Sequence, residues 1–170
     1  MDLPNAETLV AHLADRIAPH VGAESALVGI HTGGAWLAQR LHQRLGMATP
    51  LGTLDISFYR DDFSRIGLHP QVKPSDIPFA VEGRDIILVD DVLYTGRTIR
   101  AAMNELFDYG RPSAIRLAVL IDRGGRELPV CPDFVGERIA LPRHQNIQLT
   151  LEAGHGFVLS LQSPSAQVDA

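Results

Sequence analysis

The sequence predicts an α/β fold in which helices flank a parallel β-sheet on both faces. Short apolar segments of strand length alternate with amphipathic segments of helix length along the 170 residues. Residues 86–89 (IILV) form the clearest strand, because an uninterrupted apolar run suits a strand buried on both faces. Glycine-containing segments at residues 31–34, 91–97 and 122–125 each follow a predicted strand. These segments are therefore expected at the carboxyl edge of the sheet, where such folds bind ligands.

Periodicity and capping residues define the individual elements. In chain order, the predicted elements are a helix that begins after Asn5, a strand at 26–30, a helix at 35–45, a strand at 54–58, a strand at 86–89, a helix at 98–109, a strand at 114–121 and short strands at 134–135 and 147–151. Asn5 is a favourable cap for the first helix. Gly46 and Gly110 end the later helices, since glycine is favoured directly after a helix.

The chain is predicted to form a single domain over residues 1–170, which is a usual domain length. Residues 59–85 are weakly patterned and contain several prolines, which indicates a lid loop or a hairpin. The polar residues 161–170 are expected to form a disordered tail.

The composition indicates a soluble, cytoplasmic protein with no membrane association. The chain has 45% hydrophobic and 21% charged residues, no apolar run long enough to span a bilayer, and no pattern of a signal peptide. Its single cysteine, Cys131, excludes an internal disulfide. A net charge of −5 disfavours a general nucleic-acid binder but leaves room for a local cationic patch.

The strongest functional signal is residues 86–98, which read IILVDDVLYTGRT. The apolar strand leads to two adjacent acids, Asp90 and Asp91, which repel each other unless a ligand or a cation offsets their charge. Carboxylates at such an edge can accept hydrogen bonds from the hydroxyls of a ribose. The glycine and threonines that follow, at the start of a helix, are typical of a phosphate-binding loop. The segment therefore predicts a sugar-phosphate site.

Residues 86–98 resemble the phosphoribosyl diphosphate signature of type I phosphoribosyltransferases. The wording VDDVLYTGRT resembles that of one branch, the PyrR proteins, which are pyrimidine operon regulators that also act as uracil phosphoribosyltransferases. Residues 55–62, 109–113, 117–124 and 126–129 resemble the same branch. The resemblance spans about residues 27–136 and implies the type I phosphoribosyltransferase fold, with a small hood and a flexible lid loop.

The resemblance also implies roles for particular residues. Asp90 and Asp91 are expected to be catalytic, holding the ribose hydroxyls directly or indirectly through Mg²⁺. The expected substrate contacts along the phosphate-binding segment are Val92, Leu93, Tyr94, Thr95, Gly96, Arg97 and Thr98. The expected diphosphate contacts are His31, Thr32, Gly33 and Gly34, with Arg60 from the lid. The expected base contacts in the hood are Asp122, Arg123 and Val135.

The implied reaction converts uracil and phosphoribosyl diphosphate to UMP and diphosphate, in a homodimer or a larger homo-oligomer. Binding of pyrimidine-operon leader RNA, with Arg126 as a candidate contact, would add gene regulation. Two alternatives stay open: a UMP-sensing RNA-binding regulator with little catalysis, and a purine phosphoribosyltransferase, since the signature reads only the sugar phosphate.

The sequence departs from the family pattern at three places. Gly33 stands where the family has an arginine, so a Gly33→Arg replacement is expected to raise activity if that cation matters. Gly125 stands where the family has a histidine, and residues 137–142 differ in the hood.

Overall fold

The structure, a computed structural model, describes residues 1–56 and 75–163. In the described part of the chain the elements are α1 (Ala6–Ile17), β1 (Ser25–Ile30), α2 (Gly33–Leu45), β2 (Gly52–Leu54), β3 (Asp85–Leu93), α3 (Arg97–Tyr109), β4 (Ala114–Asp122), β5 (Phe134–Arg138), β6 (Asn146–Glu152) and β7 (Gly156–Gln162). The first five strands form a parallel sheet in the order β2-β1-β3-β4-β5, and β6 and β7 form an antiparallel hairpin. The predicted α/β class is therefore confirmed.

Local sequence explains where the helices begin and end. The Asn5 side chain accepts a hydrogen bond from the N–H of Thr8 at 2.9 Å and so caps α1, as predicted. Leu9 and Leu13 lie on the buried face of that helix. Gly46 adopts the left-handed conformation, with φ of 60°, directly after α2, a geometry that few other residues tolerate.

The sheet separates two hydrophobic clusters. Side chains of a strand alternate between its faces. Ile87 and Val89 pack with α1 and α2 on one face, whereas Ile86 and Leu88 pack with α3 on the other. This double burial agrees with the uninterrupted apolar run at residues 86–89 and with the central position of β3 in the sheet.

The hairpin of β6 and β7 packs against the α1 side through buried apolar residues, including Ile147 and Phe157. The sequence did not predict β7, and it assigned residues 161–170 to a disordered tail. The structure corrects this boundary, because Leu161 and Gln162 pair with Ile147 and Asn146. Residues 164–170 lie outside the described residues.

Other predicted boundaries also change. β3 continues through both acids to Leu93, because β4 runs beside it as far as Asp122. The strand predicted at 54–58 is observed as Gly52–Leu54. Thr53 and Asp76 exchange backbone hydrogen bonds of 2.8 Å, so residues 75–84 belong to the body of the domain. The rest of the predicted lid, residues 59–74 with Arg60, lies outside the described residues.

Candidate active site

The three glycine-containing segments follow β1, β3 and β4, which are adjacent parallel strands. They therefore share the carboxyl edge of the sheet, as the sequence predicted.

In the described ranges, 1–56 and 75–163, no helix is long and apolar enough to cross a membrane.

Asp90 and Asp91 are the sixth and seventh of the nine residues of β3, directly after Val89, the last residue that pairs with β1. The N–H of Asp91 donates to Oδ1 of Asp90 at 3.0 Å, and the N–H of Val92 donates to Oδ1 of Asp91 at 2.9 Å. Asp90 is buried, with 4% of its surface exposed, whereas Asp91 is partly exposed. Each carboxylate thus accepts a backbone hydrogen bond, which helps to fix its orientation.

The start of α2 lies directly against this acid pair. A Cβ atom on Gly34 would lie 2.6 Å from the carbonyl oxygen of Val89 and 3.1 Å from Oδ1 of Asp90. A Cβ atom on Gly33 would overlap Oδ2 of Asp91 and lie 2.7 Å from its Cγ. Only glycine permits this approach, which brings the positive end of the α2 dipole to the two carboxylates.

This geometry revises the expectation for Gly33. Any side chain at position 33 would displace the Asp91 carboxylate before its distal atoms could reach a diphosphate. The His31–Thr32 peptide bond before it is cis, and the N–H of His31 donates to the carbonyl of Leu54 at 2.9 Å. The segment from His31 to Gly34 therefore connects β2, α2 and the acid pair, which agrees with its predicted position at the sheet edge.

The phosphate-binding segment joins β3 to α3. Gly96, with φ of 93°, stands at the N-cap position of α3, and the hydroxyl of Thr95 accepts the N–H of Arg97 at 3.3 Å. The first turn of a helix has N–H groups without intrahelical acceptors, and its dipole favours an anion. The carboxylates and an anion-binding helix start are thus a few residues apart on one strand-to-helix connection.

The outer side of this loop is held by residues 126–128, which the sequence analysis did not connect with the loop. The carbonyl of Thr95 accepts the N–H groups of Glu127 and Leu128 at 2.9 and 3.1 Å. Nη1 of Arg126 donates to the carbonyl of Tyr94 at 2.8 Å. These contacts join residues more than thirty positions apart, so no local sequence pattern could reveal them.

Two further contacts reinforce the same junction. A Cβ atom on Gly96 would lie 3.1 Å from Cγ2 of Val130, so that side chain closes the space beside the loop. Arg97 and Glu127 form an ion pair of 2.9 Å on the surface. We call residues 126–130 the brace.

On the base side, Arg123 connects β4 to the hairpin. Only 3% of its surface is exposed, and it donates to Oδ1 of Asn146 at 2.5 Å and to the carbonyl of Pro142 at 3.1 Å. Its guanidinium also lies 3.9 Å from the centre of the Tyr94 ring. Arg123 therefore holds the altered segment 137–142 and the phosphate-binding loop in one network. Asn146 is a site-forming residue that the sequence reasoning missed.

Gly125, which stands where the family has a histidine, packs directly against the Tyr94 ring. Its φ is 79°, and a Cβ atom there would overlap the Tyr94 ring and lie 2.9 Å from Cδ2. The ring therefore occupies space that a histidine at position 125 would need.

Asp122 is buried and lies in the same network. Burial alone would raise the pKa of its carboxyl, but hydrogen bonds from Arg126 and the N–H of Gly124, with the charges of Arg126 and Arg138, hold the pKa below its usual value. The distance from Nη2 of Arg126 to Oδ2 of Asp122 is 2.7 Å. Asp122 is thus an anion held in place by the partly buried guanidinium of Arg126.

Two predicted substrate contacts are placed differently from expectation. Leu93 is 1% exposed and Val135 is 4% exposed, and both pack in the α3-side core. β5 continues beyond Val135 to Arg138, since Glu137 and Arg138 still pair with β4. Val135 therefore lies near the start of β5 and is buried, three residues before the carboxyl end of that strand.

A magnesium site made by protein alone is absent from residues 1–56 and 75–163, where no group of three or more His, Cys, Asp or Glu side chains could hold a metal ion. Asp90 and Asp91 offer a pair of carboxylates. Such a pair fits Mg²⁺ that keeps most of its ligands as water and substrate oxygens, as this ion commonly does.

Comparisons with known proteins agree with the fold. The family model described as phosphoribosyl transferase domain matches residues 1–150. A protein of Pseudomonas putida (strain W619), named bifunctional protein PyrR, is 52% identical over 154 residues, covering 88% of this chain and 90% of its own. Another protein of that name, from Pseudomonas paraeruginosa (strain DSM 24068 / PA7), is 50% identical over 171 residues, covering 98% of this chain and 100% of its own.

Among solved structures, a hypoxanthine-guanine phosphoribosyltransferase of Bacillus anthracis superposes with a TM-score of 0.65 at 22% identity, covering 82% of this chain and 84% of that one. The parallel sheet and the loops at its carboxyl edge are those of a type I phosphoribosyltransferase. Within that class, the chain belongs to the PyrR family. The resemblance predicted from residues 86–98 is thereby confirmed.

Proposed function

We propose that this protein is a uracil phosphoribosyltransferase, which forms UMP and diphosphate from uracil and phosphoribosyl diphosphate. The observation that carries the proposal is the position of the Asp90–Asp91 pair between two helix starts, α2 on one side and the loop into α3 on the other. One helix start suits the diphosphate, the other suits the 5-phosphate, and the carboxylates between them suit the ribose hydroxyls.

The reaction breaks the bond between the anomeric carbon and a diphosphate oxygen, forms a bond to the pyrimidine nitrogen, and releases the proton of that nitrogen. Its transition state has oxocarbenium character, as in glycoside cleavage. Asp90 and Asp91 lie where they would hold the ribose and stabilise the positive charge that develops on it. The segment from His31 to Gly34 would orient the departing diphosphate, so most of the catalysis is positioning and electrostatics.

Mg²⁺, when bound with the substrate, would neutralise charge on the diphosphate. Asp90 and Asp91 are the described residues that would hold it, through substrate oxygens or water. Arg60 remains the predicted contact from the lid.

The decisive assay mixes the purified protein with uracil, phosphoribosyl diphosphate and Mg²⁺, and follows UMP. We expect UMP formation by the wild type and a loss of at least about 100-fold in kcat/KM for Asp90→Asn, because the ribose loses its charged partner. Asp108→Asn is the matched control, since Asp108 is exposed on α3. An Asp90→Asn protein as active as the wild type would contradict the assignment of the acids.

Base preference is tested by a competition assay in which hypoxanthine and uracil are present at equal concentration. UMP as the dominant nucleotide supports the proposal. A purine nucleotide as the dominant product would instead identify a purine phosphoribosyltransferase, the alternative that the signature leaves open.

Regulation through leader RNA has weaker structural support than catalysis. Nη1 of Arg16 donates to the carbonyl of Val135 at 2.6 Å, and Arg126 donates to three acceptors within the site. Arg126, the arginine that the sequence offers for RNA contact, is thus ion-paired within the fold, whereas Arg16 is exposed.

A further inference from the structure

We propose that Arg126 is a positioning residue for the phosphate-binding loop, and that the brace, residues 126–130, fixes the direction of the loop's N–H groups. This inference rests on the proposed function, because it assigns the loop to the 5-phosphate of a phosphoribosyl ligand. It departs from the role that the family resemblance suggested for Arg126, which was contact with RNA.

The guanidinium of Arg126 has three different acceptors. Nε donates to the carbonyl of Val130 at 3.0 Å, Nη1 to the carbonyl of Tyr94 at 2.8 Å, and Nη2 to Oδ2 of Asp122 at 2.7 Å. The planar fork of arginine can satisfy acceptors in three directions at once, whereas a lysine ammonium on a flexible stem cannot reproduce that arrangement. The side chain is 24% exposed, so most of its surface is inside this junction.

The brace also determines which way the loop's peptide groups point. The peptide bonds that follow Tyr94 and Thr95 are trans, and in a planar trans peptide the N–H points opposite to the C=O. The carbonyl of Tyr94 is bound by Arg126, and that of Thr95 is bound by the N–H groups of the brace. The N–H groups of Thr95 and Gly96 are therefore directed away from the brace, on the side open to an anion.

Arg126 connects this loop to the base side of the site. Its ion pair with Asp122 joins the end of β4 to the carbonyl of Tyr94 at the end of β3. The lowered pKa of Asp122 agrees with this, because it requires Arg126 to favour the carboxylate form. A change at Arg126 is thus expected to loosen the phosphate-binding loop while the acid pair on β3 keeps its own contacts.

The test compares Arg126→Lys, Arg126→Gln and the control Arg111→Gln, an exposed arginine at the opposite end of the sheet. Calorimetry measures the affinity of each protein for UMP and for uridine, which lacks the 5-phosphate. We expect both Arg126 variants to bind UMP about tenfold more weakly, since charge-assisted hydrogen bonds that position the loop are lost. Uridine affinity is expected to fall less than UMP affinity, because uridine lacks the 5-phosphate and loses only the support that Arg126 gives to Asp122. The Arg111→Gln protein is expected to bind both ligands like the wild type.

The Arg126→Lys variant distinguishes a positioning role of Arg126 from a role in RNA contact. A phosphate contact to RNA depends mainly on positive charge, which Arg126→Lys retains. Wild-type UMP affinity in Arg126→Lys would overturn the inference, as would an equal loss of uridine and UMP affinity. If Arg126→Gln does not fold, Arg126→Lys decides by itself.

Failure of the proposed function has a different signature. If the wild-type protein binds UMP but forms none, the proposed catalytic function is wrong. The role of Arg126 is then still tested by the UMP affinities of the variants. A wild type that binds neither UMP nor phosphoribosyl diphosphate overturns both.

Discussion

Gly33 and Gly34 allow the start of α2 to touch the acid pair. Their importance comes from the absence of a side chain, because a Cβ atom on either would meet atoms of Val89, Asp90 or Asp91. Adjacent carboxylates are unfavourable in isolation, and the helix start beside them reduces their repulsion by its partial positive charge. The start of α2 therefore stabilises the two adjacent carboxylates without a bound ligand.

We expect Gly33→Ala and Gly33→Arg each to lower kcat/KM for UMP formation by about 10- to 100-fold, because displacing Asp91 misplaces the ribose. Gly22→Ala is the matched control, since nothing lies within 4 Å of a Cβ atom at position 22. Steady-state kinetics with all three proteins checks the effect. Higher activity in Gly33→Arg would restore the expectation from the family pattern that an arginine improves this loop.

Glu7 of α1 joins the hairpin of β6 and β7 to α1 and α2 through hydrogen bonds. Oε1 of Glu7 accepts the N–H of Phe157 at 2.9 Å, and Oε2 accepts Nη1 of Arg40 at 2.6 Å. Arg40 also lies 4.7 Å from the centre of the Phe157 ring. The hairpin carries Asn146, the partner of Arg123, so this attachment supports the base side of the site.

Glu7 is expected to make stability depend on pH. Burial alone would raise its pKa, but the hydrogen bonds from Phe157 and Arg40, with the charges of Arg40 and Arg44, hold the pKa below its usual value. A lowered pKa in the folded state means that the stabilisation is present above the unfolded pKa, near 4.3 for glutamate, and is lost as the pH falls through the folded pKa.

We therefore expect Glu7→Gln to reduce the free energy of unfolding at neutral pH by about 1–2 kcal/mol, through loss of the ion pair with Arg40. The difference from the wild type should disappear in acid. Urea unfolding at several pH values measures it, with the exposed Glu152→Gln as the control. A difference that stays constant across this pH range would show that the carboxylate charge is not the cause.

The whole molecule has a net charge of −5, which opposes association with RNA unless basic residues gather on one face. Arg126 is ion-paired with Asp122, whereas Arg16 is exposed and donates to the uncharged carbonyl of Val135.

We expect affinity for a pyrimidine leader RNA at physiological salt to equal that for a scrambled RNA of the same length, with and without UMP. Filter binding over a range of salt concentrations measures this, because phosphate contacts appear as a slope in log affinity against log salt. Sequence-selective binding that UMP strengthens would instead identify a regulator.

The order of helices and strands as far as β6, the acid pair, and the convergence of three loops at one edge of the sheet were predictable from local sequence patterns. Apolar periodicity and glycine positions act over a few residues, and parallel strand order then brings the loops together. The central strand and the helix ends near Asn5 and Gly46 were predictable for that reason.

The remaining residues of the site are brought together by tertiary contacts, which local sequence patterns do not predict. β3 extends to Leu93 because β4 lies beside it, and Val135 lies near the start of β5 because that strand continues to Arg138. The contacts of Arg126 with Tyr94 and of Arg123 with Asn146 join segments far apart in the chain. Such contacts depend on how the helices, the sheet and the hairpin pack together and on which backbone groups lack a hydrogen-bond partner within their own element. Local sequence patterns contain neither kind of information.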